Sequence, residues 1–199
     1  MLTVIRKHAV RLHALLDKGI RLSAMKSEAW KFDFTNADLC AIVQEATADA
    51  IGDGEAQSIV IEQSLPESAW AVLDVVQMRS AIDAMLENAV QFSPPRGVVR
   101  VKIEQDTHSV RLMVTDHGPG IRPEFMPRVF EEFSVADPLH HAEGQGLSLA
   151  LANQIILAHG GTIAVDSSKP GETTFSLTLP TAGVALSEMA ITVTKTAYA

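Results

Sequence analysis

Cysteine is almost missing from this 199-residue chain, where Cys40 is the only one. A lone thiol excludes a disulfide framework and a cysteine-built zinc site, and it fits a reducing compartment. Basic charge is also in deficit: 16 Lys and Arg stand against 24 Asp and Glu, for a net charge of −8. A protein of that sign repels polyanions, which argues against a general nucleic-acid or anionic-membrane binder. Any phosphate it holds must therefore be gripped locally, by backbone amides or a metal. No apolar run approaches the roughly 20 residues of a membrane span, and no signal-peptide pattern opens the chain. The expectation is a cytoplasmic segment without membrane contact.

What is present suffices for a core. With 47% hydrophobic and 20% charged residues the chain is globular rather than disordered. At roughly 150 residues per domain it holds one domain and an appendage. Residues 2–28 read as one helix, in which Leu2, Ile5, Ala9, Leu12, Leu16, Gly19 and Ser23 form a bundle-type seam. Leu15 and Leu22 add a second stripe. Such a helix alone has nothing to bury against, so the expectation is a place in an intermolecular bundle.

From residue 30 the period changes. Phe32 and Phe34 alternate with polar neighbours as in a short strand, and Asn36 is placed to cap a helix over about 37–51. Strands are expected at about 58–63 and 69–73, then a long helix over about 75–91 that Pro94-Pro95 ends. Val98–Glu104 and Val110–Thr115 read as a hairpin. A helix over about 147–158 closes at Gly160-Gly161, and Thr162–Asp166 with Thr173–Leu179 makes a last hairpin. Two hairpins among interleaved helices predict an α/β fold, a two-layer α/β sandwich with a mixed sheet, preceded by the bundle helix. The domains expected are 1–28 for that helix, 30–180 for the sandwich and 181–199 for a weakly patterned tail.

Four short segments concentrate chemistry-bearing residues. They are Glu87-Asn88-Ala89-Val90-Gln91-Phe92-Ser93-Pro94, Asp116-His117-Gly118-Pro119-Gly120-Ile121, Phe130-Glu131-Glu132-Phe133 and Gly144-Gln145-Gly146-Leu147-Ser148-Leu149-Ala150. Each alone is weak: Gly144-x-Gly146 before a helix, for example, lacks the third glycine and the preceding strand of a dinucleotide fingerprint. In this order and spacing they resemble the N, G1, F and G2 boxes of sensor histidine kinases, within the GHKL ATPase superfamily (Bergerat fold) that includes DNA gyrase and a heat-shock chaperone. The likeness runs over about residues 30–180, through Ala158-His159-Gly160-Gly161 and Gly171-Glu172-Thr173-Thr174-Phe175.

The resemblance implies ATP and Mg²⁺ as ligands, and the residue types suit them. A carboxylate at Asp116 accepts from an exocyclic amino group and so tells adenine from guanine. Gly118 and Gly120, with Ile121, let the backbone approach the ring. Asn88 offers a neutral oxygen to a hard cation that otherwise takes phosphate oxygens. Gly144, Gln145, Gly146, Leu147 and Ser148 lie at a helix N-terminus, where free amides and the helix dipole hold phosphate without basic residues. Phe92 belongs to the implied pocket, and Phe130 and Phe133 match the hydrophobic hinge of a nucleotide lid at about 134–143, which holds His140-His141.

The departures from the family are specific. Gln91 stands where a Lys commonly contacts the outer phosphates, so it offers an amide in place of a point charge. Ala84 stands one turn before Asn88, where many superfamily hydrolases place a Glu base, which disfavours a gyrase-type ATPase. Ser148 replaces a glycine. The family's acceptor His is followed by an acidic residue, whereas His8 precedes Ala9 and His13 precedes Ala14. Residues 2–28 correspond to the second helix of the dimerising hairpin, and the acceptor is expected on a missing or partner helix. The implied partners are that hairpin, a response regulator and a second copy through the N-terminal helix, with no nucleic acid. The alternatives are a stand-alone GHKL Ser/Thr kinase of the anti-sigma type and a non-catalytic ATP-sensing module.

Overall fold

Strict alternation builds the central sheet. In β4 (Val98–Gln105) Val99, Val101 and Ile103 are buried while Arg100, Lys102 and Glu104 are exposed, and β5 (Ser109–Asp116) buries Val110, Leu112 and Val114. The two strands pair antiparallel, Val101 opposite Val114. In the computed structural model, which describes residues 2–27, 30–54, 58–135 and 146–183, this hairpin is the middle of a five-stranded sheet. Its order is β2 (Val60–Ser64), β4, β5, β7 (Thr173–Pro180), β6 (Thr162–Asp166), with only β2–β4 parallel. Helices α2 (Leu39–Gly54), α3 (Val75–Phe92) and α4 (Ser148–Ala158) cover its apolar face, giving the expected two layers and mixed sheet.

The entry into the sandwich departs from expectation in two places. Residues 30–34 are not a strand; β1 spans Thr35–Asp38 and pairs antiparallel with β3 (Trp70–Leu73) in a separate ribbon. Nor does Asn36 cap α2, because its place opposite Val72 keeps the chain extended. Asp38 does the capping: its Oδ1 accepts from the Cys40 N–H at 3.0 Å and the Ala69 N–H at 2.8 Å, tying the helix start to the ribbon. Phe32 and Phe34 alternate for another reason. Their rings stack 5.6 Å apart, and both meet the His159 imidazole edge-on.

His159 is a junction. Its Nδ1–H donates to the Ile155 carbonyl at 2.6 Å and its Nε2 accepts from the Asp74 N–H at 2.9 Å, so α4's end is tied to α3's start. Asp74 in turn accepts from the Gln77 and Asp33 N–H groups, each at 3.0 Å.

Helix α1 (Leu2–Lys26) lays one face of its C-terminal half on α3 and α4. Leu22 is buried and Leu15 and Met25 pack on the core. Arg21 Nη2 donates to Gln77 Oε1 at 2.7 Å and Ser80 Oγ at 3.3 Å, and Lys26 pairs with Glu132. The second stripe, Leu15 and Leu22, therefore faces the chain's own domain. Leu12 and Leu16 of the seam, with Ile20 beside them, stay 56–68% exposed. Of the expected tail, residues 181–183 continue from β7 and the rest lies outside the described residues.

Burial lowers the His159 pKa below its usual 6.5, partly opposed by the Ile155 carbonyl and by Asp74. The neutral ring is the one the hydrogen bonds need. Its stabilisation is therefore complete above about pH 6.5 and is lost as pH falls from there toward the folded value. His159→Gln should cost about 1–3 kcal/mol at pH 7.5 and flatten the pH dependence. Urea unfolding at pH 7.5 and 5.5 checks this, and equal slopes in both proteins would refute it.

Candidate nucleotide-binding site

Asp116 ends β5 in the last pair of the β5–β7 ladder, opposite Thr173. It is 2% exposed, and its Oδ1 accepts from the Gly118 N–H at 2.9 Å. Its other oxygen takes no hydrogen bond from another residue among those described. Desolvation raises its pKa, only partly countered by the Gly118 N–H, by His117 and by its own backbone N–H. A buried carboxylate with an unused oxygen favours any donor that reaches it.

Gly118 is locked against the end of α3. A Cβ there would stand 2.5 Å from the Phe92 carbonyl oxygen and 2.8 Å from Asp116 Oδ1, so only glycine allows this approach. The loop's far side is held by Ser167, whose Oγ accepts from the Ile121 N–H at 2.9 Å and lies 3.2 Å from Thr173 Oγ1. Gly120 sits beside the same hydroxyl. Ser167 and Thr173 complete the loop's seat. No sequence pattern marks Ser167, and the hairpin Gly171–Phe175 is the only sequence signal for Thr173.

On α3, Asn88 and Gln91 lie one turn apart, both half-buried, and neither side chain has a partner among the described residues. Phe92 is half exposed. Ala84 is buried in the core, so the turn before Asn88 presents no base. No group of three or more His, Cys, Asp or Glu converges among the described residues. A hard cation would therefore depend on the free Asn88 oxygen together with phosphate oxygens, a donor set that suits Mg²⁺.

The Phe130–Phe133 segment meets the start of α4. Phe130 is half-buried and edge-on to Phe175 at 6.2 Å, whereas Phe133 is 68% exposed with φ +57°. The Phe133 N–H donates to the Gly146 carbonyl at 3.0 Å. Gly146 has φ +66°, and a Cβ would lie 2.5 Å from the Ser134 nitrogen, so glycine alone fits. The two chain ends flanking 136–145 are thus pinned together. Gly144, Gln145 and the pair His140-His141 lie outside the described residues. Leu147 is buried, and Ser148 opens α4, whose N-terminus has neither a side-chain cap nor an acidic first turn. Grooves of about 320 and 410 Å³ separate this segment from α1.

The family described as Histidine kinase-, DNA gyrase B-, and HSP90-like ATPase matches residues 73–183, and the chain belongs to it. Among its relatives is the signal transduction histidine-protein kinase/phosphatase MprB of Mycolicibacterium smegmatis, 38% identical over 113 residues, 56% of this chain and 23% of that protein. The sensor histidine kinase CusS of Escherichia coli O157:H7 is 37% identical over 112 residues, 55% of this chain and 23% of that protein. The sensor-like histidine kinase SenX3 of Mycobacterium bovis is 31% identical over 175 residues, 86% of this chain and 42% of that protein. The chain thus spans less than half the length of these relatives. A solved mycobacterial sensor histidine kinase MprB superposes with a TM-score of 0.67 at 29% identity, covering 75% of this chain and 99% of that one. Full-length ShkA in complex with AMPPNP shares the fold at a TM-score of 0.79 and 22% identity, covering 90% of this chain and 38% of that one. The chain therefore holds the ATPase catalytic domain of the sensor histidine kinases.

Asp116→Asn keeps an acceptor for Gly118 but removes the charge. It should weaken ATP by roughly 1–3 kcal/mol and reduce the preference over GTP. Because burial disfavours the ionised form at neutral pH, the ligand-free variant should melt at the same or a higher temperature. Calorimetry with both nucleotides and a thermal melt check it; a lower melting temperature with unchanged ATP affinity would refute the assignment.

Proposed function

We propose that this chain is the ATP–Mg²⁺-binding catalytic unit of a two-component sensor histidine kinase, which passes the γ-phosphoryl of ATP to a histidine on an acceptor helix. The observation that carries the reading is Asp116, a buried carboxylate with one oxygen committed to Gly118 and the other open to a donor. An adenine amino group is such a donor. Gly118 and Gly120 let the ring lie against the loop, with Ile121 and Phe92 beside it. The uncapped N-terminus of α4, with Gly144, Gln145, Gly146, Leu147 and Ser148, holds phosphates by amides and dipole. Asn88 holds the cation, which neutralises charge on the phosphates. An imidazole nitrogen of the acceptor then forms the bond to the γ-phosphorus as the bond to ADP breaks, and positioning and electrostatics supply the catalysis. Ala84 argues against water as the acceptor.

The response regulator and the acceptor hairpin are the partners in this reading, and a second copy of the chain is the third. The exposed stripe of Leu12, Leu16 and Ile20 supports the homodimer. Leu12→Glu/Leu16→Glu should shift the chain to monomer in ultracentrifugation without changing ATP binding, since both residues face away from the docked side. A wild type that is strictly monomeric at high concentration would end the bundle reading.

Incubated alone with labelled ATP and Mg²⁺, the chain should show little stable histidine phosphorylation. Given the hairpin from the same gene or operon, it should label that hairpin's histidine with acid-labile phosphate. Asn88→Ala should abolish transfer, and Gln91→Lys should raise its rate, because a charge-assisted contact is about twice as strong as a neutral one. Label on this chain lost in His8→Ala would move the acceptor onto α1. Tight ATP binding with no transfer to a cognate hairpin would leave a non-catalytic ATP sensor, and transfer to Ser or Thr of a partner would point to the anti-sigma type of kinase.

A further inference from the structure

Three cations of α1 reach the domain it docks on, and two of them meet an anion. Arg21 lies 3.9 Å from Asp17 while bonding Gln77 and Ser80, and Lys26 pairs with Glu132. Lys18 differs. Its half-buried Nζ donates to Ser148 Oγ at 2.8 Å, and no carboxylate pairs with it among the described residues. Ser148 is the first residue of α4, at the positive end of an uncapped helix with no acidic residue in its first turn. An ammonium group and a helix N-terminus in contact repel each other unless an anion lies between them. The other face of this observation is Gln91, a neutral amide on α3 with no partner among the described residues.

We propose that Lys18 is a phosphate-positioning residue supplied by α1. It rests on the nucleotide site proposed above and adds the charge that Gln91 lacks. When nucleotide is bound, the ammonium exchanges the Ser148 hydroxyl for a phosphate oxygen. The flexible four-carbon stem needs only to swing across the helix end it already touches. Docking of α1 and binding of a polyphosphate then favour each other, and by linkage each strengthens the other by the same factor. The contact responds to phosphate and not to the base, so ATP and ADP engage it and adenosine does not.

The test uses the full chain. Calorimetry with ATP, ADP and adenosine is run on wild type, Lys18→Met and Lys18→Arg, together with amide exchange of residues 15–26. Lys18→Met should weaken ATP about tenfold, the size of one charge-assisted contact, and leave adenosine unchanged. Lys18→Arg should recover most of the loss. ATP, but not adenosine, should slow exchange in the docked half of wild-type α1, and Lys18→Met should abolish that slowing. Unchanged ATP affinity in Lys18→Met, or an equal loss for ATP and adenosine, would overturn the role while leaving the nucleotide site standing. A wild type that binds no adenine nucleotide would instead overturn the proposed function, and this role with it.

Discussion

A carboxylate held away from water at the end of β5 is the constraint on which the site depends. Asp116 is where the sheet's last ladder pair gives way to an irregular loop, and its side chain sets that loop's direction by taking the Gly118 N–H. Gly118 then presses on the Phe92 carbonyl, so the loop is fixed to the end of α3, and Asn88 and Gln91 lie on the turn just before. A side chain at position 118 would push these parts apart. The desolvation of Asp116 is opposed only in part by the Gly118 N–H, by His117 and by its own backbone N–H, so the packing of the sheet must hold the charge in place.

A second anchor sets the other end of the same two helices. His159 ties α4's C-terminus to α3's N-terminus, and Asp74 extends the tie to the segment that leads from α1. The helices are therefore fixed to each other at the end remote from the phosphate-binding start of α4. That start is left open, with Leu147 giving no side-chain cap. Rigidity at one end and unmet hydrogen bonds at the other suit a scaffold that presents a helix N-terminus to a ligand.

Much of this was legible because alternation and spacing act over many residues. The two hairpins, α3 and α4 follow from periods that burial enforces at every second or third position, and Asp116 and Asn88 stand in segments whose composition is hard to explain by packing. What was not legible turned on choices between near-equivalents. Asn36 and Asp38 are both good caps, and strand register opposite Val72 decides against the first. Phe32 and Phe34 show a strand's alternation, yet the cause is a shared stack on His159, a residue more than 120 positions away. Ser167 and Thr173 carry only hydroxyls, which are common in loops, so nothing marked them until the fold put them beneath Ile121. The two stripes of α1 were visible, but which one meets the domain depends on a surface that only α3 and α4 together create.

The distribution of unfavourable features sharpens the functional reading. Asp116 is a desolvated carboxylate, Phe133 is an exposed aromatic at φ +57°, α4 begins without a cap, and Lys18 points at that positive helix end. By contrast Arg79 is held by Asp83 and Asp49, Asp38 takes two N–H groups, and the Asp74–His159 pair uses both ring nitrogens. Three of the four unfavourable features concern a group that a nucleotide answers: a donor for Asp116, an anion for the helix start and for Lys18. A chain with a net charge of −8 can hold a polyphosphate on these terms, because the attraction comes from a few groups left short of partners and not from the charge of the whole molecule.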